Sequence, residues 1–296
     1  MTIDIMMPFY GRIDHFQAAV RSVLAQDDDR WRLVIVDDVY PDLSAGEWAR
    51  AIDDPRVEYH RNEVNLRPSL NYRKCVGMMQ TEFAVIMGCD DIMLPGYVRR
   101  VHELIEQHPQ GAIIQPGVRV IDDAGTVHLP LADRVKGWYQ PATEGPVELG
   151  GRDLARSLLR ANWTYFPSLC WRVSELQRRE FRADLDVVQD LAMILDIVMS
   201  GGTLVLDDRP VFEYRRHAGS VSAVTGPDGT KFAQERVLFA EMRDQMRRLG
   251  WTRASRAARW HTTSRLNALS ELPAALRLRD RAGLRSLARH SFGPVP

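Results

Sequence analysis

Cysteine is scarce in this sequence. Cys75, Cys89 and Cys170 are odd in number and far apart. No CxxC pair and no Cys/His cluster at zinc-site spacing occurs, so neither a disulfide framework nor a structural zinc site is expected. Cys89 reads as a small apolar filler beside a carboxylate pair. Long apolar runs are also missing. None approaches the ~20 residues that cross a bilayer, and the longest, Leu191 to Met199, is interrupted by Asp196. No basic segment opens the chain, and Asp4 stands where the apolar core of a secretory signal would begin, so a cytoplasmic location is expected. No internal repeat is visible. Net charge is absent too, with 39 basic and 39 acidic residues.

That zero hides a division. From Arg243 onward there are 12 basic and 3 acidic side chains, against 27 and 36 before it. Such a split suggests a basic appendage on an acidic body. The body alternates short β-like runs with amphipathic helical ones. Strands are expected at 3–7, 32–36, 57–60, 83–87 and 112–115, with helices at 68–79 and 95–107. This alternation implies an α/β fold built on a mainly parallel sheet, in which ligands bind beyond the carboxyl ends of the strands. Residues 122–151, rich in Gly, Pro and charge, read as a long surface excursion. A helix is expected at 188–199, strands at 203–206 and 211–215, and a flexible loop at 218–229. The expected organisation is a catalytic unit over 1–225, divided near 121, followed by a helical, arginine-rich extension over 226–296.

Two acidic pairs, Asp37-Asp38 and Asp90-Asp91, fall at strand ends. Asp90-Asp91 can hold Mg²⁺ or Mn²⁺ against a diphosphate, since such ions take one or two carboxylates plus phosphate oxygens. Taken alone, the pair reads as a solvated turn. His217 could complete a metal shell, and Arg215 and Arg216 could neutralise phosphate; alone, they read as an exposed loop. Asp190, at the head of an apolar helix, could accept a proton or simply favour the helix start. Asp184 and Asp186 compete with it.

Read together, these segments resemble family-2 glycosyltransferases of the GT-A fold. IMMPFYGRIDHFQAAVRSVLAQ looks like that family's opening, RLVIVDDVYPD like its second strand, and NEVNLRPSLNYRKCVGMMQTEFAVIMGCDDIMLPGYV like its metal segment. VVQDLAMILDIVMSGG resembles the segment bearing the catalytic base, and YRRHAGSVS the late histidine loop. The resemblance covers about residues 1–225. The sequence departs from it at Gly11, where Asn is frequent, at Val39 and Arg67, where Gly is frequent, at Gly88, where a further Asp is frequent, and at Gln189, where an acid is usual.

The resemblance implies an inverting, metal-dependent transfer from a UDP- or dTDP-sugar to a hydroxyl of a glycan, glycolipid or other glycoconjugate. It implies Asp190 as base, and Asp91 and His217 as metal ligands, with Asp90 on the metal or the ribose. The donor pocket would use Pro8, Phe9 and Asp38, with Asp37 as alternative, then Asn65 or Arg67. Asn162, Trp163 and Tyr165 would form the acceptor side, although core packing accounts equally well for Trp163. Two rival readings are an inactive nucleotide-sugar-binding module and a sugar-1-phosphate nucleotidyltransferase. The latter should carry a Gly-rich loop where PFYGRIDHF has one glycine. No nucleic-acid motif accompanies the arginines. An oligomer is open, through a stripe of Phe232, Phe239, Met242, Met246 and Leu249 that could instead pack within the chain. For the tail, with Arg253, Arg256 and Arg259 between Trp251 and Trp260, two readings stand. It docks peripherally on an anionic membrane, or it is a solvated face or partner of the acidic body.

Overall fold

The computed structural model describes residues 1–217, 219 and 224–294. Its strands are β1 (Ile3–Phe9), β2 (Trp31–Asp37), β3 (Val57–Arg61), β4 (Phe83–Ile86), β5 (Ile92–Met93), β6 (Ile113–Ile121), β7 (Val147–Gly150), β8 (Cys170–Arg172) and β9 (Thr203–Arg215). The helices are α1 (Ile13–Leu24), α2 (Ser44–Arg50), α3 (Arg67–Met78), α4 (Tyr97–Gln107), α5 (Leu131–Tyr139), α6 (Gly151–Arg160), α7 (Val173–Gln177) and α8 (Gln189–Met199). After them come α9 (Thr230–Arg248), α10 (Thr252–Trp260), α11 (Thr262–Arg277) and α12 (Arg281–Phe292).

The strands form one sheet in the order β3-β2-β1-β4-β8-β6-β9-β5, with β7 added on β9. β1 to β4 run parallel, β8 is antiparallel to both β4 and β6, and β6 and β9 are parallel. The sheet is therefore mainly parallel, as the alternation implied. Both faces are covered, which makes the strands nearly continuously apolar. Ile3, Ile5 and Met7 share a core with Phe16 and Val20 of α1 and Val98 and Val101 of α4. Met6, Val34 and Ile86 share the opposite one with α6 and α8. Asp4 is fully buried in β1, but Arg32 and the Gln80 and Thr81 amides satisfy its carboxylate.

Three expectations need correction. The strand expected at 112–115 continues through Pro116 and Gly117 to Ile121, and 203–206 and 211–215 are parts of one strand, β9. The two strands shift register between Gln115 and Val118. A Cβ at Gly117 would lie 2.4–2.5 Å from the Asp208–Arg209 backbone, so glycine permits the close crossing there. Third, the 122–151 excursion contains α5 and β7. Of the loop expected at 218–229, residues 218 and 220–223 lie outside the described residues.

The C-terminal helices dock on the body rather than standing apart. Leu238, Phe239, Met242 and Met246 of α9, with Ala254 and Ala258 of α10, join the core that contains α6 and α8. Each of the larger side chains contributes about 1.5–3 kcal/mol on full burial. Leu249, expected on the same stripe, is 47% exposed. Glu235, which interrupts the stripe, is buried against Ser264 and His290. No helix among the described residues is long and apolar enough to cross a membrane.

Val39 and Arg67 adopt φ of 62° and 64°. These are the two positions at which the resembled family often has glycine. A left-handed conformation costs an L-residue about 1–2 kcal/mol, and a β-branched one is the worst case. Both residues border a carboxylate clamp described below, which holds them there. Val39→Gly should therefore raise the unfolding free energy by ~1 kcal/mol, part of the relieved strain being offset by the greater chain entropy of glycine. Urea denaturation measures this; an unchanged or lowered midpoint would mean that the residue is not strained.

Candidate active site

The carboxyl ends of β1, β2 and β4 meet at one edge. Asp37 ends β2 and is fully buried. It accepts from Tyr59, from Arg61 and from the Tyr40 amide at 2.8 Å. Asp38 accepts from Asn62 at 2.7 Å and from the Leu66 and Arg67 amides at 2.7 and 2.9 Å. Both carboxylates thus face protein donors, where Asp38, or Asp37 as the alternative, was expected to meet a base. A strand-end pair this deep must find internal partners. Asp38 shapes the 62–67 loop; exposed Asn65 donates to the Asp38 carbonyl at 2.9 Å. Arg67 extends into solvent, 3.5 Å from Asp186. The Phe9 ring, expected in the donor pocket, is buried and stacked on Phe16 at 4.1 Å. Pro8 is partly exposed. Tyr10, 56% exposed and edge-on to Tyr40, is the aromatic that reaches the surface here.

Beyond β4, the two aspartates behave differently. Asp91 is buried and takes the Arg215 amide at 2.8 Å on Oδ1, while Oδ2 has no partner among the described residues. Burial, then the Asp90 charge, pushes its carboxyl well above the ordinary aspartate range. Asp90 is more accessible and lies 2.7 Å from His217 Nε2. The structure thus brings two expected metal residues together, with Asp90 rather than Asp91 as the accessible carboxylate. Gly88 makes the arrangement possible, because a Cβ there would stand 2.4 Å from Asp91 Oδ2 and 2.9 Å from Asp90 Oδ1. The described residues hold no group of three or more His, Cys, Asp or Glu suited to a metal ion. One carboxylate, one imidazole and an orphaned oxygen behind them nevertheless fit a cation that takes its remaining ligands from phosphate and water.

The arginines are spent inside the protein, against the expectation that they face phosphate. Arg215 donates to the carbonyls of Asp90, Asp122 and Asp123 at 2.7, 3.0 and 3.1 Å. Arg216 forms a fork on Asp133 of α5, at 3.1 and 2.9 Å. Tyr165 donates to that same carboxylate at 3.1 Å, so it pins α5 rather than offering an open platform. Trp163 is wholly buried, with its indole N–H on Ser157, and belongs to the core.

Asn162 and Asp190 do meet. The Asn162 amide donates to Asp190 Oδ2 at 3.1 Å, and Thr164 donates to Asn162 Oδ1 at 2.6 Å, which orients the amide. Burial raises the Asp190 carboxyl above the ordinary range, against the opposing hydrogen bonds and the Lys136 charge. Lys136, one turn beyond Asp133 on α5, donates to the Thr164 carbonyl at 2.9 Å and lies 4.3 Å from the centre of the Tyr165 ring. Burial, then Arg216, brings it down to about 8. No sequence pattern singled out Lys136 or Asp133, since both sit in what read as an irregular excursion. Gln189 is buried on Ser69, which leaves Asp190 as the acid at the helix head. The set is contiguous: Asp90 touches His217, the adjacent Arg216 holds Asp133, and Asp133 shares a helix with Lys136.

Comparison with known proteins decides the family. The model of glycosyl transferase family 2 matches residues 4–157, just over half of the chain. The chain belongs to this family. It is 32% identical over 90 residues to an Escherichia coli protein, WcaA, whose name assigns it to colanic acid biosynthesis as a glycosyl transferase. It is 24% identical over 224 residues to the succinoglycan biosynthesis protein ExoO of Rhizobium meliloti. These matches span 30% and 75% of this chain, and 32% and 63% of the relatives. Among solved structures, S. aureus TarS 1-349 in complex with UDP-GlcNAc superposes with a TM-score of 0.70 at 15% identity. That match covers 100% of this chain and 82% of the other. The likeness shows the fold, and the GT-A architecture expected from the sequence is the one observed.

Proposed function

We propose that this family-2 chain transfers a sugar from a nucleoside-diphosphate donor, UDP-linked first and dTDP-linked second, to a hydroxyl of a glycan or glycolipid, with inversion. The observation that carries the reading is the Asp90–His217 contact at the mouth of β4, joined through Arg216 and Asp133 to the helix beside Asp190. Support also comes from TarS, solved with UDP-GlcNAc, and from relatives named for succinoglycan and colanic acid biosynthesis. Asp90 and His217 would hold Mg²⁺ or Mn²⁺, which when bound neutralises charge on the leaving diphosphate. Asp91 stands behind them, and Tyr10, Pro8 and Asn65 line the donor side. Asp190 accepts the proton of the acceptor hydroxyl as its oxygen bonds to the anomeric carbon and the bond to the diphosphate breaks. Asn162 fixes one carboxylate oxygen for this.

A panel of UDP- and dTDP-sugars with Mn²⁺, read by release of nucleoside diphosphate and by melting temperature, tests the reading. Release supports it; a thermal shift without release from any donor leaves a binding module; neither response overturns it. A pH prediction follows from Asp190. Its raised carboxyl must be ionised to act, so turnover should fall as pH drops through a value above that of an ordinary aspartate. The Lys136 ammonium favours the ionised form, so Lys136→Met should move that acid limb to higher pH. A limb in the same place in the two proteins would show that Asp190 does not titrate in turnover.

A further inference from the structure

Outside this site, a cleft of about 400 Å³ opens between α6 and the C-terminal helices. Its lining includes Arg156 and Arg160 of α6, Arg253 and Arg256 of α10, and the aromatic rings of Tyr139 and Trp260. The arginines are spaced i, i+4 on one helix and i, i+3 on the other, so each pair shares a helix face. The helices approach closely because Ala155, Ala254 and Ala258 are small and buried at their junction. None of the four guanidiniums has a carboxylate partner among the described residues, unlike Arg182, Arg215 and Arg216, which are all bound within the protein. Arg160 instead lies over the Tyr139 ring at 5.0 Å. Trp260 is 61% exposed at the rim.

Four like charges gathered in one concavity repel, and the cleft lining holds no Asp or Glu to offset them. An anion would. Guanidinium forks match phosphate oxygens geometrically and are weakly hydrated, so desolvating them costs little. The cleft lies in the size range of ligand sites. We propose that this arginine cleft binds a phosphate or diphosphate group, carried by an anionic lipid headgroup or by a free phosphate compound, apart from the donor site. The tail arginines then act with two arginines of the body, a grouping invisible in the chain order. This site does not depend on the donor reading: its residues are disjoint from Asp90, His217 and Asp190.

The test compares the full chain with an Arg156→Gln/Arg253→Gln variant. Both residues reach solvent, so folding is retained, and an unchanged melting temperature confirms it. The single Arg256→Gln variant serves as a second case. In one arm, inorganic pyrophosphate is titrated by calorimetry. In the other, vesicles of phosphatidylcholine with phosphatidylglycerol are co-sedimented at low salt. Each lost charge-assisted hydrogen bond weakens binding by about tenfold or more. The double variant should lose at least that much in one arm or both, while Asp90→Ala retains this binding. A loss confined to the vesicles assigns a lipid headgroup, and a loss confined to pyrophosphate assigns a free phosphate. Equal binding by wild type and variants, or no binding by wild type in either arm, overturns the proposal.

Discussion

Asp190→Asn should lower turnover by ~10²–10⁴-fold or more, the usual worth of a positioned base, and leave the donor dissociation constant within about twofold, since the residue acts in the transition state. The change is nearly isosteric, and the Asn162 contact survives if the new side chain presents its oxygen to the Asn162 amide. Packing at the head of α8 is then unchanged, so a fall in turnover reports lost chemistry. The acid limb should disappear with it. Steady-state kinetics with a saturating acceptor, together with donor binding by calorimetry, separates the two effects. Wild-type turnover in this variant would move the role elsewhere, first to Asp186, which already contacts Ser69 and Arg67.

Asp90→Ala and His217→Ala should each lower turnover by ~10²-fold or more and weaken nucleoside-diphosphate binding. A cation at a leaving diphosphate supplies several kcal/mol, and each 1.4 kcal/mol is about tenfold. Exhaustive chelation should do the same to the wild type, and Mn²⁺ should restore the wild type but not the variants. Asp91→Ala should differ in kind. Its carboxylate takes the Arg215 amide in a buried position, so the variant should also melt at a lower temperature. Full activity after chelation would remove the metal from the mechanism and leave Lys136 as the cation nearest the chemistry.

The candidate residues were legible in the sequence because they stand at strand and helix ends. Here an apolar run broken by two aspartates marks the ends of two parallel strands, β2 and β4. The structure places Asp90 against His217 and Asp190 against Asn162, contacts that the motif order did not specify. The donor end was read less well. Asp38, with Asp37 as the alternative, was expected to face a base, but Arg61, Tyr59, Asn62 and three backbone amides bond the two carboxylates. A pair at a strand end has no alternation left to say which way each member points, and the turn that follows decides. Arg215 and Arg216 share the difficulty: a guanidinium reads alike whether it meets a phosphate or a carbonyl or carboxylate eighty or more residues away.

The sequence by itself determined the layered α/β sheet, the positions of the acidic strand ends and the helical, basic character of the tail. These depend on local periodicity and composition, which the chain carries in order. Tertiary structure alone decided that Asp90 rather than Asp91 stays accessible, that Lys136 of an apparent surface excursion lies near Asp190 while Asp133 of the same helix takes Arg216, and that Arg156 and Arg160 join Arg253 and Arg256 around one cleft. Those outcomes depend on which distant groups compete for the same hydrogen bonds and charges once the chain is packed, and no spacing along the chain encodes that competition.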